Sequence, residues 1–236
     1  MHQLFYAQPR DNNTILLPTE EAHHALSVLR AKPGDELFVT DGVGAIFTCI
    51  IESIDKKACV AAIARKETVL KQTPQLDMYI GLPRRDAFEA AIQMLVPFGV
   101  HSIRPVACMH SQRAWWKKKW QKLSERFGRL MIASLKQSLS AYLPEIHAPV
   151  TFEQALGHID SAAVYADMAG QRAASLAGIA AQTKTLSCFI GPPGGFGKEE
   201  RAMLTGKGAH ALWLSPLRLR TELAAAAAAA ALVQMS

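Results

Sequence analysis

Residues 186–200 read LSCFIGPPGGFGKEE, and the architecture of the larger part of the chain follows from them. Leu186 to Ile190 is a short apolar strand, Gly191-Pro192-Pro193-Gly194-Gly195 interrupts it, and Lys198-Glu199-Glu200 opens a helix. A strand that hands over to a helix in this way is the repeating unit of α/β proteins. The same rhythm extends on both sides. Apolar strands are predicted at Leu76 to Leu82, Ile103 to Ala107, Ala162 to Ala166 and Ala211 to Leu214, with helical stretches between them. The alternation implies a mainly parallel sheet, whose ligand belongs at the carboxyl ends of the strands.

The glycine run lies at such an end. Glycine permits positive φ and lets a ligand approach the backbone with no Cβ in the way. A tight strand-to-helix turn accounts for an isolated glycine pair, but residues 191–197 are longer than a turn needs. The run is not a P-loop, because Gly197-Lys198 is followed by Glu199, and it lacks the G-x-G-x-x-G order of a dinucleotide site. Neutral and cationic ligands both stay open. A second strand exit follows at Leu214-Ser215-Pro216-Leu217-Arg218-Leu219-Arg220-Thr221-Glu222. Thr221 is placed to cap the next helix, with Glu222 at its positive end. Capping leaves two arginines unexplained, and a guanidinium at this edge suits a phosphate or a carbonyl of an RNA base.

The first seventy residues have a different rhythm. Strands are predicted at Leu4 to Tyr6, Ile15 to Leu17, Glu36 to Thr40, Ala45 to Ile54 and Ala58 to Ile63. Turns fall at Lys32-Pro33-Gly34-Asp35, Asp41-Gly42-Val43-Gly44 and Asp55-Lys56-Lys57. One helix, capped by Thr19, is expected to bury Ala22, Leu26 and Leu29. From Lys66 to Pro74 the pattern turns polar and aperiodic, which puts the domain boundary there: 1–70 before it, 74–236 after it.

Composition narrows the partners. Of 236 residues half are hydrophobic, enough for packed cores, and the net charge of +6 favours a polyanion, with nucleic acid first. Cys49, Cys59, Cys108 and Cys188 are scattered without a C-x-x-C pair, as expected of reduced core thiols in a cytoplasmic protein. His23 and His24 have no matching ligands that would suggest zinc, so no metal is expected. The longest apolar run, Leu223 to Val233, has eleven residues where a membrane span needs about 20. It reads as a close-packed helix of a soluble protein.

Together, G-P-P-G-G-F and L-S-P-L-R-L-R-T-E-L-A resemble the two signature segments of the ribosomal small-subunit methyltransferase E family, usually G-P-E-G-G and L-G-P-R-I-L-R-T-E-T-A. Further similarity runs from His23-His24 to Leu29-Arg30, from Ile92-Gln93 to Pro105, and from Gln137-Ser138 to Pro144-Glu145-Ile146, so it covers nearly the whole chain. The chain departs from the pattern too: Pro193 replaces a glutamate, Leu217 an arginine and Leu223 a threonine. The resemblance implies a small N-terminal PUA-like β-barrel, a C-terminal SPOUT-type α/β domain with a trefoil knot, and a homodimer. It also implies S-adenosylmethionine as cofactor and a uridine N3 of 16S rRNA in the small ribosomal subunit as target.

On that basis Gly191, Pro192, Gly194, Gly195, Leu214, Ser215, Leu217 and Leu219 are expected to hold the cofactor, and Arg220 to stabilise charge on the base during transfer. No general base is assignable. RNA contacts are expected from His24, Arg30, Arg113, Lys117, Lys118 and Lys119; the last four belong to a stretch, 113–122, in which tryptophans alternate with cations. The alternative for that stretch is a helix with tryptophans in the core and solvated lysines. Two other functions fit the same residues: a knotted methyltransferase for another RNA position, and a noncatalytic RNA-binding or ribosome-assembly factor.

Overall fold

The computed structural model describes residues 3–112, 120–160 and 162–235. The chain divides into two compact units, Met1–Lys71 with Ile132–Leu143, and Gln72–Met131 with Pro144–Ser236. The division is thus not one cut near residue 70, because a later segment returns to the first unit.

The first unit carries β1 (Leu4–Tyr6), β2 (Thr14–Leu17), α1 (Thr19–Ser27), β3 (Glu36–Thr40), β4 (Ala45–Ile54) and β5 (Cys59–Thr68). Its sheet has the order β1-β3-β4-β5-β2, parallel at β1/β3 and antiparallel elsewhere. Alternation along β4 sends Ala45, Phe47, Cys49 and Ile51 inward, where they meet Phe5, Ile15, Leu17 and Val39. Three expectations need correction. β5 continues past Ile63 to Thr68, since its polar end still pairs with Ala45 to Thr48 of β4. Pro18, not Thr19, is the N-cap of α1, and no side chain caps it. The helix buries Glu21, Ala22 and Ala25, while Leu29 lies beyond its end and is exposed. Glu21 is drawn inward because its carboxylate pairs with the Lys136 ammonium. Ile132–Leu143 joins this unit through its backbone: Gly44 N–H donates to Ala141 O at 3.0 Å and Leu143 N–H to Gly42 O at 2.8 Å.

The second unit begins with β6 (Gln75–Gly81), α2 (Arg85–Leu95) and β7 (Ser102–Ala107). It continues through α3 (Trp120–Ser138, whose last turns belong to the first unit), β8 (Glu145–Ile146), β9 (Val150–Thr151) and α4 (Phe152–Leu156). Then come β10 (Ala162–Gln171), α5 (Ala177–Ala180), β11 (Thr185–Ile190), α6 (Lys198–Gly206), β12 (His210–Leu212) and α7 (Thr221–Val233). The sheet order is β12-β10-β11-β6-β7-β8, with β9 also on β7, and every pairing is parallel. Such a sheet must be covered on both faces. On one side Phe152, Leu156 and Leu204 from α4 and α6 meet Tyr79, Tyr165 and Phe189. α7 packs on α2 and against β6 and β11, with Ala225, Ala228 and Ala229 fully buried. Alanine leaves room for such close approach. Within α3, the half-buried Trp120 ring meets Phe127 at 6.0 Å between centroids; Trp115 and Trp116 of the same segment lie outside the described residues.

Candidate ligand cleft

On one side of β6 the sheet grows outward through β7 and β8; on the other, β10 is laid down before β11, which sits against β6, and β12 then returns to the outer side of β10, so the strand order reverses around β10 and β11. Open α/β sheets place ligands at the carboxyl ends near such a switch. A cleft of about 280 Å3 lies there, at the small end for small-molecule sites. Its walls are the glycine loop after β11, the loop after β12, and Ala166 to Met168 of β10.

The glycine loop is held from several directions. Gly195 N–H donates to Pro192 O at 2.7 Å, and Gly195 has φ +73°, a left-handed conformation that favours glycine. A Cβ on Gly81, at the end of β6, would stand 2.5 Å from Pro192 Cδ, so glycine there lets the loop rest on the sheet. Thr221 was expected to cap α7. Arg220 is the N-cap instead, and the buried Thr221 hydroxyl donates to Gly191 O at 3.1 Å, tying the two loops together.

All eight residues assigned to the cofactor line this cleft: Gly191, Pro192, Gly194, Gly195, Leu214, Ser215, Leu217 and Leu219. Arg220 does not. It is exposed at the start of α7, whereas Arg218 reaches the cleft wall. His24 and Arg30 lie in the first unit. His24 is half-buried, hydrogen-bonds the Gln3 amide and meets the Phe5 ring edge-on at 6.2 Å, while Arg30 is exposed. Arg113, Lys117, Lys118 and Lys119 fall outside the described residues.

Sequence reasoning missed the third wall. The ladder between β10 and β12 shifts so that both Ala166 and Gln171 face Leu212, and Asp167 to Gly170 bulge out between them. Asp167 and Met168 thereby reach the cleft. Arg201 links that wall to the glycine loop: its Nη1 donates to Phe196 O at 3.1 Å and its Nε stands 4.0 Å from Asp167 Oδ2. The available signal was positional, since Ala166 ends a predicted strand like the other two walls. Cys188, just below the loop, is fully buried, and burial pushes its thiol up to about 12, which disfavours the thiolate form. Among the described residues no group of His, Cys, Asp or Glu is placed to hold a metal.

A parallel α/β unit with a glycine-lined cleft at its switch point, preceded by a small β unit, defines a class. The chain belongs to the RNA methyltransferase family: the pattern described as "RNA methyltransferase domain" matches residues 71–233, and an "RNA methyltransferase PUA domain" matches 17–64. Within it, the chain is similar to proteins named ribosomal RNA small subunit methyltransferase E. That of Mycobacterium bovis is 28% identical over 234 residues, covering 95% of this chain and 88% of the relative. That of Bacillus subtilis is 26% identical over 232 residues, covering 94% and 90%. A Legionella pneumophila structure, described as a methyltransferase with bound S-adenosylmethionine, superposes with a TM-score of 0.85 at 26% identity, covering 98% of this chain and 97% of that one.

Proposed function

We propose that this protein transfers a methyl group from S-adenosylmethionine to N3 of a uridine in 16S rRNA of the small ribosomal subunit. The observation that carries this reading is the convergence of both signature loops on one cleft. The cleft fits the cofactor on its own terms. Its glycines leave backbone rather than side chains along one wall, Leu212, Leu214 and Leu219 supply apolar surface, and its two cations among the described residues are Arg201, which faces Asp167 and Phe196 O, and Arg218. Gly191 to Gly195 and Leu214 to Leu219 hold the cofactor, chiefly through backbone groups. When bound, it supplies a methyl already activated on a sulfonium. The protein then has to hold the uracil N3 in line, at roughly 3–3.5 Å, and stabilise charge that spreads onto the carbonyl oxygens as N3 loses its proton. Arg220 serves that second purpose, with the proton leaving to solvent. Arg30 and the cations of 113–119 bind the RNA backbone.

The reading includes a trefoil knot, a closed barrel and a homodimer. α7 starts against the glycine loop and ends packed behind β6 and β11, the arrangement a threaded C-terminal segment requires. In the first unit Pro9 bridges to Ile15 of the edge strand β2, which favours closure. α7 presents an exposed Leu223 beside its small alanines, a surface suited to a second copy. Mass mapping of 16S rRNA from cells with and without the protein tests the reaction: one methylated uridine should disappear, and an unchanged map refutes it. A second reading, methylation of another RNA position, draws support from Leu217 and Pro193, which line the cleft where the related pattern has arginine and glutamate. Loss of a ribose methyl in the same maps would favour it.

A further inference from the structure

The loop after β7, Cys108 to Gln112, contributes nothing to the cleft wall, yet it is fastened to the glycine loop. His110 Nδ1 lies 3.0 Å from Gly195 O, and a Cβ on Gly194 would come within 2.7 Å of His110 Cβ. Beneath this contact lies Glu200, in the first turn of α6 and only 7% exposed. One carboxylate oxygen accepts Gly197 N–H at 2.7 Å, where the glycine loop enters the helix. The other accepts Met109 N–H at 2.8 Å, from a residue 91 positions earlier. A glutamate that merely caps its own helix needs only the first bond. The second joins the loops that follow β11 and β7, two strands separated by β6. Its neighbour Arg201 grips the same loop at Phe196 O, so the first turn of α6 clamps it twice.

We propose that Glu200 is a positioning residue for the methyl transfer: its buried carboxylate pins the glycine loop to the loop after β7 and so sets the affinity for the cofactor. The proposal rests on the reading that the cleft binds S-adenosylmethionine. Two backbone N–H groups converge on one side chain, and only a carboxylate offers both an acceptor. Glutamine has one acceptor oxygen and turns an NH2 toward the other donor, leaving it unsatisfied; aspartate is one methylene too short to reach both. Released on that side, the loop must be ordered by the ligand itself, which weakens binding but leaves the bound, reacting state unchanged.

The test uses the full-length protein, S-adenosylmethionine and small ribosomal subunits. Glu200→Gln should raise the KM and calorimetric Kd for the cofactor about 10-fold. Its kcat at saturating cofactor should stay within about 2-fold of the parent. Glu199→Gln, an exposed acid in the same turn that feels the same helix dipole, should leave both unchanged. His110→Ala, an exposed change that cannot unfold the core, should raise Kd about 5-fold by removing the parallel tie. If Glu200→Gln fails to fold, His110→Ala decides. Parent-like cofactor affinity in the deciding variant, or a fall in kcat with KM unchanged, overturns the proposal. A parent that binds no cofactor instead defeats the reading of the cleft.

Discussion

Arg218 and Arg220 stand two positions apart on the loop after β12, but only Arg218 lines the cleft. Arg220 occupies the N-cap position of α7, is exposed and makes no ion pair among the described residues, which suits the RNA-facing role proposed for its guanidinium. Replacing Arg220 with alanine is expected to spare cofactor affinity and slow transfer about 10- to 1,000-fold, and lysine should not restore it, lacking the planar fork. Single-turnover transfer from radiolabelled cofactor, with Arg218→Ala alongside, is the measurement. Full transfer by Arg220→Ala removes it from the mechanism, and loss confined to Arg218→Ala moves the role into the cleft. The cysteines carry a second prediction. Burial pushes Cys49 and Cys59 up to about 11 and Cys188 up to about 12, from an ordinary 9.0. Above pH 9.0 the unfolded chain releases thiol protons that the folded chain keeps, so the unfolded state binds fewer protons and stability falls as pH rises. Urea midpoints should therefore drop between about pH 8 and about pH 10, and equal midpoints would contradict the burial argument.

Among the elements, α7 was the most legible. Eleven consecutive apolar residues, mostly alanine, cannot face water along a whole helix, and the structure buries Ala225, Ala228 and Ala229 between α2 and the sheet. Enlarging one of them overpacks the layer: Ala228→Leu should cost about 1–3 kcal/mol, against less than about 0.5 kcal/mol for Lys184→Ala at an exposed position before β11. Denaturant titration of both variants checks this, and equal costs would mean the helix is not packed as described. Strand positions were legible for the same reason, since apolar runs between glycines and prolines are local signals. The wall formed by Asp167 and Met168 was not, because a bulge depends on how β10 registers against β12. There Gly170 approaches so closely that a Cβ would lie 2.6 Å from the carbonyl carbons of Ala211 and Leu212. The expected cap at Thr221 failed similarly: its hydroxyl had a stronger claim on it from Gly191, thirty residues earlier.

At the scale of the whole molecule, a net charge of +6 and an RNA methyltransferase domain joined to a PUA domain suit a long, polyanionic substrate gripped at several points. Neutralising Lys117, Lys118 and Lys119 together should weaken RNA binding and flatten its salt dependence, lowering the log–log slope by about 2 to 3. Filter binding across a salt series measures it; an unchanged slope would make the cluster a solvated face. Composition, the strand and helix succession and the two glycine- and arginine-bearing loops were determined by the sequence alone. Hydrophobic periodicity, glycine and proline act over a few residues. Tertiary structure alone decided that Ile132–Leu143 rejoins the first unit, that Arg218 rather than Arg220 lines the cleft, and that Glu200 and Thr221 serve loops distant in the chain. Those outcomes depend on strand order, register and the need to satisfy buried backbone groups, conditions that exist only once separate segments have been brought together.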